Sequence, residues 1–439
     1  MERTEGESAA LGRRLRLPLS GLFYGWVIVL GGFVLLYSGY GVQFSFGVFL
    51  SDMEASLAPG HRAALTLGFS IYAAMYSVFS LATGIATDRW GPRPVVLLGA
   101  LLFGGSLLWV SRAGSLWEFY VAYGLLAALA MSTCIIPATS TVVKWFVARR
   151  GLAVGIVTAG VGAGQLTVPI LSALALVPLG WRTAYLVYAV ALFVIFAAVG
   201  LLMERDPESR GLLPYGAERT PPPANISGPA PAQDDSFTLG ETLRSLPFWM
   251  ATVSLGMVWS MVFLPFVHLP PFAQEELGLS AQAASLTITT MAVGSLLSRL
   301  FGGLVSDMIG LRATMGLSIF FQGVSFAVLW WTALAGSPAL LYLGALVFGL
   351  GYGAVAGLYA VLLADLFGRR FASSISGALF ALAGSASGIG VYMAGLFYES
   401  TGGYQGAFAL GALVSFLALP LFLMVRRPQR RHAPAAVPS

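Results

Sequence analysis

Apolar positions in this chain form long unbroken runs parted by short polar links, with no sustained alternation. Twelve runs stand out: 23–50, 64–87, 94–111, 117–143, 151–177, 183–203, 246–272, 281–306, 313–334, 338–364, 372–398 and 404–425. A helix rises about 1.5 Å per residue, so roughly 20 residues cross a hydrocarbon layer ~30 Å thick. Most of the runs exceed that length, and tilt or extension beyond the lipid is expected.

The stretch 204–245 divides the runs six and six. It carries Pro207, Pro214, Pro221, Pro222, Pro223, Pro229 and Pro231 among mixed charges. Such a composition buries too little apolar surface to fold alone and reads as a flexible inter-half loop. The expected organisation is a tail at 1–22, a first half at 23–203, a linker at 204–245, a second half at 246–425 and a tail at 426–439. The halves also repeat. Gly84, Asp88, Gly91 and Arg93 spell GxxxDxxGxR, and Gly303, Asp307, Gly310 and Arg312 spell it again 219 positions later. Arg149-Arg150 recurs as Arg369-Arg370, and Gly180-Trp181 as Gly403-Tyr404, at offsets of 219 to 223. The predicted fold class is an all-α membrane protein of 12 transmembrane helices in two pseudo-symmetric six-helix halves. Such a repeat implies a site between the halves near the membrane midplane.

Composition supports that class. Apolar residues make up 57% and charged residues 10%, against about 25% charged in soluble domains; mean hydropathy is +0.81. The single cysteine, Cys134, excludes a disulfide framework and reads as a packed thiol. Basic residues sit at run ends, which gives no reason to expect nucleic acid. With the N-terminus inside, the inner segments hold 20 of the 24 basic residues; Arg62, Arg112 and Arg182 lie outside and Arg299 within a run. By the positive-inside rule both termini are expected in the cytoplasm, in a multi-pass protein of the cell membrane. The polar, basic first 20 residues and the long run after them do not resemble a cleavable signal peptide. No metal cluster, Ser-His-Asp set or phosphate-cradling loop appears, so neither an enzyme nor a cofactor is expected. Glycine runs such as Gly349-Leu350-Gly351-Tyr352-Gly353 lack the strand–helix context of nucleotide binding.

In each repeated link the first Gly permits close helix approach, the second a tight turn, and the Asp can accept from a helix N-terminus or pair with an Arg. Asp88, Arg93, Asp307 and Arg312 are therefore expected to latch one face. Arg299 lies eight residues before Asp307, about 12 Å from the end of its helix. A charge there costs at least about 2.5–3.5 kcal/mol and usually marks a pathway or a ligand counter-ion. No Asp or Glu lies deep in any run, so an anionic substrate is its natural partner, and a guanidinium matches a carboxylate bidentately. His268 is the lone histidine within a run, near the end of the seventh beside Pro265, Pro270 and Pro271. It suits proton transfer or a bond at a proline-broken helix end. Tyr37, Tyr40 and Gln43, Tyr72 and Tyr76, Gln165, Tyr352, Tyr359 and Tyr392 could line a cavity with apolar faces and hydroxyls.

The duplicated motif resembles the signature of the major facilitator superfamily, over about residues 20–427. Lys144-Trp145-Phe146-Val147-Ala148-Arg149-Arg150-Gly151, the small-residue ladder Gly155, Ala159, Gly162 and Gly164, and the opening Phe23-Tyr24-Gly25-Trp26 resemble the monocarboxylate porter and oxalate/formate antiporter branch. The ladder itself allows close helix packing. The resemblance implies that Arg299, at the place of a helix 8 Arg, binds a substrate carboxylate. Where the animal porters carry a helix 1 Lys and a helix 8 acid, this chain has Phe44 and Ser295, and the helix 11 Lys of the oxalate/formate type is missing from 372–398. One deep cation favours a monoanion, with His268 or the substrate's own carboxyl left to carry any proton. The expected partners are a small anionic substrate such as a lactate- or pyruvate-like acid, a proton and the lipid bilayer, in a monomer. Export or antiport of another solute (an oxalate/formate-type anion, a drug or a sugar) stays open, as does a non-transporting sensor.

Overall fold

The computed structural model describes residues 23–59, 61–217 and 236–428. The tail at 1–22, most of the tail at 426–439 and the middle of the 204–245 segment lie outside the described residues. Among those described, 12 helices are long and apolar enough to cross a membrane. They are α1 Gly25–Phe49, α2 Leu67–Trp90, α3 Pro92–Arg112, α4 Leu116–Trp145, α5 Arg150–Ala175, α6 Trp181–Leu202, α7 Leu246–Glu275, α8 Gln282–Ile309, α9 Leu311–Ala335, α10 Pro338–Phe367, α11 Ala372–Tyr398 and α12 Gln405–Leu423. Large apolar side chains such as Leu101, Trp117 and Leu174 stand on the outside. Lipid tails are as apolar as leucine, so that surface is solvated in a bilayer.

The packing repeats as the sequence does. α1 lies along α5, α2 along α4 and α3 along α6; α7 lies along α11, α8 along α10 and α9 along α12. The halves meet chiefly through two reciprocal pairs, α2 with α11 and α5 with α8. An even number of spans returns the chain to the side it started from. That face, which also carries both GxxxDxxGxR links, is called the motif face below.

The links are tighter than their polarity suggests. The runs leave polar gaps of about six residues, yet α2 continues through Asp88, Arg89 and Trp90, and α3 starts at Pro92. Gly91 alone turns the chain, with φ +86°, and Gly310 alone does so between α8 and α9, with φ +92°. A side chain at either φ is disfavoured, and Pro92 suits a first helical position, where no N–H is needed.

Two helices break inside their apolar runs. α7 consists of Leu246–Ser260 and Phe263–Glu275, joined at Met261 and Val262. Pro265 sits in the first turn of the second piece, and the helix continues through Pro270 and Pro271. The proline-broken end expected around His268 is therefore not found; the break lies two turns earlier. α11 changes pitch at Ser385–Gly388.

The inter-half segment is structured at both ends. Tyr215 exchanges backbone hydrogen bonds with Trp145, Val147 and Ala148, and its ring packs on Phe23, Trp26 and Phe146. At the other end the Phe237 amide donates to the Phe367 carbonyl, and Thr238 and Glu241 form a capping box on a short helix, Leu239–Leu243.

Candidate functional site

A cleft lies between the halves and is lined by residues of both. Helical spacing decides which residues reach it. α1 presents Tyr40, Gln43 and Phe44, α2 presents Ala73, Tyr76 and Ser77, and α10 presents Tyr352 and Ala356. The broken α7 contributes Trp259, Val262, Phe263 and Phe266, and α11 contributes Phe380, Gly384 and Ser387. Ile135 of α4, Val161 of α5 and Arg299 of α8 complete the wall, which holds one charged side chain and no carboxylate.

Arg299 is 2% exposed. Its Nε donates to Ser295 Oγ at 3.3 Å, and its Cζ stands 5.2 Å from the Tyr352 ring centroid, a cation–π distance. Its Nη1 is buried with no hydrogen-bond partner among the described residues. A guanidinium carries five N–H donors and cannot shed its charge, so this end of the cleft holds an uncompensated cation. Ser295, which stands where the resembling porters have an acid, supplies a neutral acceptor instead.

Opposite, on the first half, the Tyr40 and Tyr76 hydroxyls hydrogen-bond to each other, and Tyr72 donates to Gln43 Oε1 at 3.4 Å. Of the residues picked from sequence, Tyr40, Gln43, Tyr76, Tyr352 and Arg299 share the cleft. Others do not line it. Tyr72 is buried behind it, stacked on Tyr123. Gln165 is buried within α5. Tyr359 lies behind Trp259 and Phe380. Tyr392 is 69% exposed and points away from the bundle, which corrects its place among cavity residues: α11 turns that face outward. His268 also misses the cleft; its Nε2 is 3.1 Å from the Val391 carbonyl and its ring lies against Tyr404. The sequence reading missed Trp259, Phe263 and Phe266, although their i, i+4, i+7 spacing was the available signal.

The two link motifs meet the opposite half. Asp88 accepts from the Ser374 amide at 2.7 Å, the Ser374 hydroxyl at 2.7 Å and the Ser373 amide at 3.4 Å, all in the first turn of α11. It also takes a 2.9 Å ion pair from Lys144 of α4. Asp307 accepts from the Gly151 and Leu152 amides, at 3.2 and 3.1 Å, in the first turn of α5. Each carboxylate thus caps a helix start in the other half, where free amides and the helix dipole favour a negative charge. A Cβ on Gly84 would collide with the Ser373 carbonyl, and one on Gly303 with the Gly151 carbonyl. The arginines do not pair with these acids. Arg93 donates to the Leu201 carbonyl at 2.6 Å. Arg312 is exposed and makes no hydrogen bond among the described residues.

Further inter-half contacts join the same face: Arg150 pairs with Asp365, Arg369 donates to the Lys144 carbonyl, and Ser373 Oγ to Ser140 Oγ. The repeat also explains where Arg299 stands. Gly377 packs on the Ser80 carbonyl, and Gly155 packs on the Arg299 carbonyl. Arg299 is therefore the structural counterpart of Ser80, 219 positions earlier.

Comparison with known proteins agrees with this architecture. A sequence model of the Major Facilitator Superfamily matches residues 28–391 and 263–439. Monocarboxylate transporter 11 of Homo sapiens is 27% identical over 402 residues, covering 89% of this chain and 81% of that protein. The MFS-type transporter pytF of Aspergillus terreus is 28% identical over 295 residues, covering 67% and 93%. The crystal structure of the human organic anion transporter MFSD10 superposes with a TM-score of 0.67 at 15% identity, over 91% of this chain and 99% of that one. That last likeness concerns the fold.

Proposed function

Because the chain belongs to the Major Facilitator Superfamily and resembles its monocarboxylate porter branch, we propose that it is a secondary transporter of a small monocarboxylate, lactate- or pyruvate-like. The observation that carries this reading is Arg299, a buried cation with a free Nη1 on a cleft that holds no carboxylate. A carboxylate is the ligand that satisfies both the charge and the fork of donors. The Tyr40–Tyr76 hydroxyls and Gln43 offer polar contacts to the far end of a short acid.

On this reading the substrate binds Arg299 as the anion, and among the described residues no carboxylate or histidine lines the cleft to carry a proton with it. His268 lies off the cleft, against α11. Alternation is a rocking of the halves, in which the Asp88 and Asp307 caps break when the motif face opens. The basic residues of the inner segments support a cytoplasmic motif face in the cell membrane.

Uptake of labelled monocarboxylates into proteoliposomes tests the proposal. Arg299→Ala should reduce it to background at normal expression, and Arg299→Lys should restore only part, because an ammonium lacks the planar fork. Unchanged uptake by Arg299→Ala would sink the assignment. A second reading, transport of a larger lipophilic solute, draws on the apolar wall of Trp259, Phe263, Phe266 and Phe380. A thermal-shift panel of acids, sugars and lipophilic amines separates the two.

A further inference from the structure

The cleft-facing stripes of α10 and α11 do not stop at the cleft. On α10, Tyr352 and Ala356 line it, and Tyr359 continues the same face one turn toward the motif face. On α11, Gly384 and Phe380 line it, and Ser376 continues that face by one turn in the same direction. Both continuations are polar, and both are closed off. Tyr359 is 1% exposed and Ser376 is fully buried, and neither hydroxyl has a hydrogen-bond partner among the described residues. Burying a hydroxyl without a partner costs free energy, and native structures rarely leave one so without a reason. Two such groups on adjacent helices, both one turn beyond the cleft, share one reason if they face a path that is shut in this state.

What shuts it is aromatic. The Tyr359 ring packs edge-on against Trp259, with centroids 5.4 Å apart, and stacks with Phe380 at 6.2 Å. Trp259 and Phe380 contact each other at 5.4 Å, and both line the cleft. They form its floor, and Tyr359 lies beneath them. Beyond Ser376, Ser373 already belongs to the network around Asp88.

We infer that Tyr359 and Ser376 form a second station for the carboxylate, sealed here by Trp259 and Phe380, which receives the substrate when the motif face opens. This rests on the monocarboxylate reading for the ligand, but not for the path. Tyr359 would then be a contact of the motif-face-open state, and the oxygen of a carboxylate would accept from its hydroxyl.

Two measurements test it. The chain has one cysteine, and Cys134 is buried, so a single introduced thiol reports on access. Ser376→Cys, in the full-length protein in sided vesicles, should react with a membrane-impermeant maleimide added on the motif-face side and stay unreactive from the other side. Reaction from the cleft side, or from neither side in a variant that still transports, overturns the path. This readout needs no substrate, so it stands or falls separately from the Arg299 experiment. For the ligand role, Tyr359→Phe keeps the packing and removes the hydroxyl. Half-saturation by lactate should rise roughly ten- to hundredfold for flux starting from the motif-face side, the usual cost of a lost bond to a charged group. Half-saturation from the cleft side should stay unchanged. An equal change on both sides, or none on either, overturns the role.

Discussion

Asp88 and Asp307 occupy the same place in the same motif, and their surroundings differ. Both end a helix just before a one-glycine turn, and both cap a helix of the opposite half. Asp88 is 7% exposed and also holds Lys144, whose side chain is 10% exposed. Asp307 is exposed and is bound by two amides. The difference comes from a neighbour outside the motif. Lys144 is the chain's only lysine, and its counterpart on α10, 220 positions on, is Ala364. The two copies share the turn and the cap, and a lysine on a third helix makes one of them a buried ion pair. A short motif therefore carries geometry, while its energetic weight depends on what packs against it.

Breaking Asp88 is expected to have the largest effect. Asp88→Asn strands the Lys144 charge and weakens the cap on α11, and breaking a buried pair costs about 3–5 kcal/mol. Thermal unfolding in detergent should show a large drop. Asp88→Asn with Lys144→Met should lose less than Asp88→Asn alone, because no charge is left unpaired. If the double variant is the worse of the two, the pair is not what separates the copies. Next come Gly84→Ala and Gly303→Ala. Each puts a methyl against a carbonyl of the other half, at about 1–3 kcal/mol. Their losses should be alike, since the backbone contact is shared by both copies; a clear gap between them would mean that the two interfaces are not equivalent. Asp307→Asn should matter least. An exposed charge at a helix start is worth about 0.3–1 kcal/mol, and raising salt should shrink the effect further. A loss equal to that of Asp88→Asn would remove Lys144 from the explanation.

Parts of this were legible in the chain and parts were not. The spans could be read because each apolar run is long enough to cross a membrane by itself. Arg299 could be read because a charge deep in such a run is costly and more often marks a pathway or a ligand than a snorkelling side chain. The break in α7 could not, because Met261 and Val262 are no more polar than their surroundings; the change of pitch in α11 falls on Ser385–Gly388, small and polar residues that also occur within unbroken membrane helices. The one-residue links were hidden too: Asp88, Arg89 and Trp90 are polar or interfacial, yet they stay helical. Tyr392 shows the limit for the site. Tyrosine suits a cavity, a helix contact or the lipid interface, and its sequence neighbours do not say which of these it meets.

By itself the sequence determined the number of spans, the duplication, the superfamily and the lone deep cation. These follow from run length, from repeats at a constant offset and from the cost of a charge in hydrocarbon, all of which are properties of one segment at a time. Only the tertiary structure decided which faces of the helices look inward. It placed Tyr40, Gln43 and Tyr76 with Arg299 in the cleft, turned Tyr392 outward, set His268 against α11, and gave Asp88 a lysine that Asp307 lacks. The reason is that nearly every position in these helices is apolar or small. Hydropathy then barely distinguishes a face toward lipid from a face toward protein, and the facing is set by how glycines on one helix admit the backbone of another.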